Sequence, residues 1–282
     1  MTTVKKLLLL DVGGTFIKCS DSREIPVDSN GSRESVSASF RDAVGGFCAE
    51  ALKDDAGSYG IAVAMPGPFD YGKGIFLMTH KYSSVYGEDF RKLAAVPEQV
   101  EIRYTHDVNG MLSGEMAYGH GRGWSRVALI ALGTGLGFSV SIDGQILEKP
   151  TGSPLVSIFS RPFRDGILED YVSKRGFLSL YAAKGGKAGT VKEIAEYAAS
   201  GDAAAIGTFR EAGEILAAET APILDEYGIE CLLLGGQISR SFRLMGEALN
   251  KGLGHVGSLK MISPVSDFDN ATFNGLRSLY EK

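Results

Sequence analysis

The sequence predicts an α/β fold of two similar domains, and three observations carry that prediction. Apolar runs of strand length alternate with longer segments of helical periodicity. A strand, a glycine-rich turn and a second strand occur at residues 7–18, and the same unit recurs at residues 127–142. The chain has 282 residues, enough for two domains of ordinary size, and 44% of them are apolar, enough for a sizeable core.

Residues 7–10 (LLLL) form an apolar run short enough for a buried strand. Asp11 stands where it ends, and Gly13 and Gly14 follow, two residues expected to turn the chain through conformations closed to side chains. Phe16 and Ile17 resume the apolar pattern. Residues 19–38 are polar and turn-rich. Residues 40–53 carry Phe40, Val44, Phe47 and Ala51 at helical spacing. Residues 59–65 (YGIAVAM) read as a buried strand that Pro66-Gly67-Pro68 stops. A short helix is expected at 90–93 and a strand at 100–104. In residues 105–118 a strand end, a polar loop with His106, Asp107 and Asn109, and a helix follow one another. The second half opens with a strand at 124–131, the turn LGTGLG at 132–137, a strand at 138–142 and the hairpin signal Asp143-Gly144. Residues 149–166 are irregular. Helices are expected at 167–180, 191–199, 203–227, 239–250 and 273–281, with strands at 229–234 and 261–265.

Composition narrows the function. Charged residues make up 22% and the formal net charge is −5, with no long Lys/Arg block, which argues against nucleic acid as main partner. No apolar run approaches the ~20 residues of a membrane helix. The opening MTTVKKLLLLD has an apolar stretch too short for a signal sequence. Cys19, Cys48 and Cys231 lie far apart with no CxxC, as in a reducing cytosol, so a cytoplasmic location is expected.

The first glycine turn can do chemistry. Successive backbone N–H groups on such a turn form a concavity for anions, and an adjacent Asp can hold a hydrated divalent cation against the same phosphates. The spacing is not that of a P-loop, because the Gly-x4-Gly-Lys pattern and the following helix are absent. A plain glycine hairpin would account for the same residues.

DVGGTFIK at residues 11–18 resembles the first phosphate loop of the superfamily of sugar kinases, heat-shock proteins and actin, and most closely that of the ROK family (repressors, uncharacterised frames and sugar kinases). Further motifs follow in family order. MPGPFDYGKG at 65–74 is similar to a segment lining the sugar side, which assigns Pro66 and Gly67 to the sugar. HDVNGMLSGE at 106–115 is similar to the family's NDAN-x4-GE, whose Asp, here Asp107, is the catalytic base. LGTGLG at 132–137 is similar to the second phosphate loop. GILEDYVS at 166–173 matches a helix whose Glu, here Glu169, contacts the sugar, and LLGGQIS at 233–239 is similar to the adenosine loop. The resemblance implies two actin- or ribonuclease-H-like domains with a nucleotide and sugar cleft between them, one of residues 1–107 plus 265–282 and one of 108–264. It implies ATP-dependent phosphorylation of a hexose or amino-sugar hydroxyl. Gly13, Gly14, Gly133 and Gly135 would let backbone N–H groups reach the phosphates, Thr15 and Thr134 would add hydroxyls, and Gly235 and Gly236 would pass under the adenine. Asp11 would orient Mg²⁺ through water and Asp107 would take the proton. Lys18 has a place in the motif and His106 a place in the acceptor pocket.

Each residue also has a plainer reading. Asp107 could cap a helix, Glu169 could be a surface carboxylate, Lys18 a strand-surface lysine, and Gly235-Gly236 a simple loop. The chain also departs from the family pattern, and the acceptor pocket differs from a standard glucose-type pocket. The cysteine cluster that holds the family's structural zinc is missing, so no zinc site is expected. Ser153 and Val156 stand where the family has the Glu and His of GE-x-GH, and His106 replaces an Asn. Polyphosphate glucokinases are similar and also lack the zinc cluster, so polyphosphate is an alternative donor. A sugar-binding protein that keeps the fold without catalysis is the other alternative. The first turn begins at Asp11, leaving no room ahead of it for a DNA-binding module like that of ROK repressors. A homodimer is compatible with the sequence.

Overall fold

The structure is a computed structural model that describes residues 6–54 and 58–281. The first five residues, part of the stretch read against a signal sequence, lie outside the described residues, as does Lys282.

Two compact units divide the chain. The first comprises Met1–Ala117, Glu148–Pro154 and Asn270–Lys282, and the second Tyr118–Leu147 and Leu155–Asp269.

The first unit is built on β1 (Lys6–Val12), β2 (Phe16–Cys19), β3 (Glu24–Pro26), β4 (Tyr59–Met65) and β7 (Glu101–His106), in the order β3-β2-β1-β4-β7. Strands β5 (Phe69–Asp70) and β6 (Ile75–Phe76) form a separate hairpin. β1, β4 and β7 run parallel, whereas β2 and β3 return antiparallel. Every residue of β4 is buried, as its continuous apolar run requires of a central parallel strand. Helix α1 (Arg33–Ala51) starts about two turns earlier than its apolar spacing suggests. Ser32 caps it by accepting from the Ser35 N–H at 3.2 Å, and Glu34 sits in the positive first turn. A capped, mostly exposed first turn has little apolar periodicity, so the core-facing pattern begins only at Val36. Below the sheet, Phe40 packs on Phe76, Tyr82 and Phe90 with ring centroids 5.0–5.9 Å apart. Each such ring contributes about 1.5–3 kcal/mol by leaving water. Helix α2 (Phe90–Ala94) supplies Phe90, and α3 (Asp107–Tyr118) follows β7 directly.

The second unit repeats the plan with β8 (Arg126–Leu132), β9 (Leu136–Ile142), β10 (Gln145–Ile146), β13 (Cys231–Gly235) and β14 (Met261–Pro264), in the order β10-β9-β8-β13-β14. A small hairpin of β11 (Pro162–Phe163) and β12 (Gly166–Ile167) precedes its helices. β8, β13 and β14 are parallel, and β9 and β10 antiparallel. The two sheets share one topology: the hairpin β1–β2 of one corresponds to β8–β9 of the other, each closed by a glycine-rich turn. The α/β prediction with two similar domains therefore holds.

Some predicted helices are divided. Residues 167–180 form α4 (Glu169–Val172) and α5 (Lys174–Ala183), broken where Ser173 is extended at φ −102° and ψ −178°. Helices α6 (Val191–Ala199) and α7 (Ala203–Glu226) follow as predicted. In place of one helix at 239–250 there is a 3₁₀ segment, Gln237–Leu244, and then α8 (Gly246–Leu253). Apolar spacing does not distinguish these breaks, because the helices on either side bury the same face.

The last helix, α9 (Ala271–Ser278), belongs to the first unit and crosses α3 at glycines. A Cβ on Gly114 would stand 2.1 Å from the Ala271 carbonyl oxygen, and one on Gly275 only 1.7 Å from that of Gly110. The backbones meet there without side chains between them, which fixes α3 from its outer side. Arg103 of β7 reaches the Leu279 carbonyl and lies over the Tyr280 ring, tying the C-terminal segment to the sheet edge. Among the described residues no helix is long and apolar enough to cross a membrane.

Candidate active site

In the first unit, β1 carries Asp11 to the start of the first glycine turn. The turn is closed by the Gly13 N–H, which donates to the Phe16 carbonyl at 2.9 Å. Neither Gly13 nor Gly14 has a positive φ, which corrects the expectation that they adopt conformations closed to other residues. What crowds a side chain here is proximity: a Cβ on Gly13 would lie 3.0 Å from the Phe16 carbonyl oxygen, and one on Gly14 3.3 Å from Ser29 Oγ, so a neighbour would have to give way. Among the described residues, the N–H groups of Gly14 and Thr15 have no hydrogen-bond acceptor, the condition for an anion-binding concavity. Thr15 is exposed and its carbonyl accepts from Val27. Lys18 is exposed on β2, directly across the antiparallel pair from Asp11.

Asp11 is partly enclosed, and burial, reinforced by the charge of Asp107, pushes its carboxyl up to about 6 against a weaker downward pull from Lys18. The two carboxylates therefore sense each other, although 96 positions of sequence separate them. They meet because β1, β4 and β7 are adjacent parallel strands whose C-terminal ends lie side by side.

Asp107 is the first residue of α3, with no loop between it and β7, a correction to the polar loop expected there. Its Oδ1 accepts from the Val108 N–H at 2.7 Å and from His106 Nδ1, also at 2.7 Å. Burial pushes the Asp107 carboxyl up, but the charge and hydrogen bond of His106, the Val108 N–H and the charge of Lys81 outweigh it and hold it below the ordinary carboxylate range. Its side chain remains 46% exposed, so one oxygen is available to solvent or a ligand.

Pro66 and Gly67 follow β4 and pack near this pair. A Cβ on Gly67 would stand 3.2 Å from His106 Nε2 and 3.4 Å from Tyr71 Oη. Tyr71 donates to the Met65 carbonyl at 2.9 Å, and its phenol is pushed up by burial and by the charges of Asp107 and Glu148. Asn109 is fully buried and donates to Glu148 Oε1 at 2.9 Å and to the Gly152 carbonyl at 3.3 Å. The segment Glu148–Pro154 thus joins the wall around Asp107, and it carries Ser153. The sequence reading placed Asn109 in the motif without giving it a partner. Glu148 carried no signal, because its contact exists only once residues 39 apart are folded together. Val156 packs instead against the core of the second unit.

In the second unit, Gly133 N–H donates to the Gly135 carbonyl at 3.0 Å, which closes the turn between β8 and β9 and leaves Thr134 exposed at its tip. Glu169 sits against this turn. Its Oε2 accepts from the Leu136 N–H at 2.9 Å, a Cβ on Gly135 would fall 2.8 Å from that oxygen, and Arg175 pairs with Oε1 at 3.0 Å. Gly235 ends β13, and its carbonyl accepts from Ser239 Oγ at 2.7 Å. Gly236 has φ +80° and a Cβ position 2.3 Å from the Leu132 carbonyl oxygen, so this position admits glycine alone.

The structure therefore brings Asp11, Gly13, Gly14, Thr15, Lys18, Pro66, Gly67, His106 and Asp107 to one unit, and Gly133, Thr134, Gly135, Glu169, Gly235 and Gly236 to the other. Among the described residues no three His, Cys, Asp or Glu side chains converge as a metal nest, and Cys19, Cys48 and Cys231 are each buried.

The family model described as "ROK family" matches residues 8–153. A glucokinase structure from Parabacteroides distasonis is 19% identical, with 100% of this chain and 99% of that one covered and a TM-score of 0.75. A ROK family glucokinase from Streptomyces griseus, solved with glucose and AMPPNP, is also 19% identical over 96% of this chain and 98% of that one, at a TM-score of 0.74. An inorganic polyphosphate/ATP-glucomannokinase from Arthrobacter sp. strain KM is 18% identical over 98% of each chain, at a TM-score of 0.68. At these identities the likeness is one of fold. No curated protein sequence matches the chain.

Proposed function

The chain belongs to the ROK family, and from that premise we propose that it is a sugar kinase transferring the terminal phosphoryl group of ATP to a hydroxyl of a hexose or amino sugar. The observation that carries the reading is the meeting of Asp11 and Asp107 beside a glycine turn with unengaged N–H groups. A carboxylate to take a proton and a nest for a phosphate are what the transfer requires.

Asp107 is the general base, an effect typically worth about 10² to 10⁴ in rate. His106 donates to Oδ1, which orients the carboxylate. The Gly13-Gly14 turn receives the transferred phosphoryl, with Thr15 adding a hydroxyl. The Gly133–Gly135 turn, with Thr134, takes nucleotide phosphates, and Gly235-Gly236 the adenosine. Pro66, Gly67 and His106 shape the acceptor side, and Lys18 stays at the strand surface. Glu169 holds the second turn through Leu136, and the family resemblance assigns it the sugar.

The residues present fit Mg²⁺: the charge of Asp107 adds to the cost of ionising Asp11, and a divalent cation held beside them through water would relieve that cost. Asp11 would hold it through water. When bound, Mg²⁺ neutralises charge on the phosphates.

Likeness to the polyphosphate/ATP-glucomannokinase supports inorganic polyphosphate as a second donor to test. The experiment is a screen of hexoses and amino sugars, with ADP release read for ATP and sugar-phosphate formation for polyphosphate. Turnover of one acceptor establishes the reading. Tight binding of a sugar with no turnover by either donor replaces it with a non-catalytic sugar-binding protein.

A further inference from the structure

Lys81 lies in the segment after the β5–β6 hairpin, a stretch that no motif covers. Three observations concern it. Its stem reaches the first glycine turn, with Cε 3.9 Å from where a Cβ on Gly14 would be. Its charge reaches Asp107 and helps hold that carboxyl down. And, though the side chain is partly enclosed, its ammonium makes no hydrogen bond or ion pair among the described residues.

The backbone beneath it is fixed with some strain. Tyr82, the next residue, is fully buried yet left-handed at φ 52° and ψ 25°, a region unfavourable for a bulky side chain. It is held there from both ends: its N–H donates to the Ser29 carbonyl at 2.5 Å, and its hydroxyl to the Gly13 carbonyl at 2.5 Å. Ser29 in turn donates its N–H to the Gly14 carbonyl at 3.1 Å. A strained residue held to the turn at Gly13 and, through Ser29, at Gly14 presents the lysine beside it to the same turn.

Lys81 is not there to make Asp107 a better base. A neighbouring cation lowers a carboxylate's proton affinity, and a general base works best with a pKa near the working pH. A partly enclosed lysine whose ammonium has no hydrogen bond or ion pair, and whose Cε lies beside a turn with unengaged N–H groups, points to an anion that both would bind.

We propose that Lys81 is a phosphate-binding residue of the first unit that holds the transferred phosphoryl group over the Gly13-Gly14 turn, next to Asp107. The inference rests on the kinase reading for the identity of the anion. In the transfer, the acceptor oxygen forms its bond to phosphorus, the bond to the bridging oxygen breaks, and ADP leaves with that electron pair. The acceptor proton goes to Asp107, and Lys81 keeps its protons and offsets charge on the equatorial oxygens.

The test uses the full chain with inorganic tripolyphosphate as probe, titrated calorimetrically into wild type, K81M and K81R, alongside steady-state kinetics on any acceptor found. Thermal melts verify folding, and K81Q replaces K81M if that variant fails to fold. Expected is a tenfold or greater loss of tripolyphosphate affinity in K81M, with K81R within about threefold of wild type. Turnover should fall by about 10² to 10³ in K81M with the sugar KM unchanged, as for an interaction made at the transferring group. Equal tripolyphosphate affinity in wild type and K81M, or no binding by either, overturns the assignment. If wild type phosphorylates no sugar while K81M still loses the probe, the anion site stands and the kinase reading falls.

Discussion

His106 Nδ1 lies 2.7 Å from Asp107 Oδ1, and these neighbours sit at the junction where β7 becomes α3. The Val108 N–H also lies 3.3 Å from Nδ1, so ring, amide and carboxylate meet at one point. The same N–H bonds Oδ1, and the other carboxylate oxygen is left for a substrate.

The first prediction concerns Asp107→Asn. The variant keeps shape and helix start but cannot accept a proton at neutral pH. Turnover should fall by about two to four orders of magnitude, with sugar and ATP affinity little changed. Full turnover in a folded variant would reduce Asp107 to a cap, since Asn caps a helix about as well.

His106→Asn is expected to move the pH profile. His106 lowers the Asp107 pKa, so its removal raises it. The base must be ionised to act, and the acidic limb of kcat/KM should therefore shift to higher pH. An unmoved limb separates His106 from the titrating group.

Asp11 has a stability signature. Its carboxyl titrates near 6 in the folded chain against 3.8 when free, so the folded state binds more protons between these values. Stability attributable to this group is present below pH 3.8 and is lost as pH rises through about 6. Asp11→Asn should remove that decline and stabilise the chain at pH 7.5 by up to about 3 kcal/mol, while weakening activation by Mg²⁺. Denaturant melts from pH 4 to 7.5 check this, and parallel curves for both proteins would refute it.

Two glycines of the second unit should behave oppositely. A Cβ at Gly133 meets nothing within 4 Å, so Gly133→Val should fold normally and lose nucleotide affinity about tenfold or more, because the side chain occupies space needed for a phosphate. Gly236→Ala places a methyl 2.3 Å from the Leu132 carbonyl oxygen at positive φ and should fail in folding. Calorimetry with AMPPNP after a thermal melt separates the cases; undiminished affinity in Gly133→Val would take that turn out of the nucleotide site.

Gly275→Ala tests the support behind the base. Its methyl would stand 1.7 Å from the Gly110 carbonyl oxygen, so α9 must move away from α3. A loss of about 3 kcal/mol or more is expected, at the upper end of overpacking. A melting temperature within a few degrees of wild type would show that α3 does not depend on this crossing.

What the sequence by itself determined is local. Apolar runs of strand length, paired glycines between them and their recurrence after β7 are properties of neighbouring residues, and they were enough to read the α/β class, the duplicated hairpin and the turns at Gly13-Gly14 and Gly133–Gly135. Where one buried face continues across a break, as at Ser173 or before Gly246, periodicity concealed it. Tertiary structure decided the rest. Asp11 and Asp107 interact because parallel strands align their ends, Asn109 meets Glu148 because a distant segment folds back onto the first unit, and Lys81 reaches Gly14 because Tyr82 is clamped to Ser29 and Gly13. Each of these contacts exists only once the chain has closed loops of tens of residues. The resulting burial and charge shift the carboxyls of Asp11 and Asp107 in opposite directions, a difference that two aspartates in a sequence do not carry.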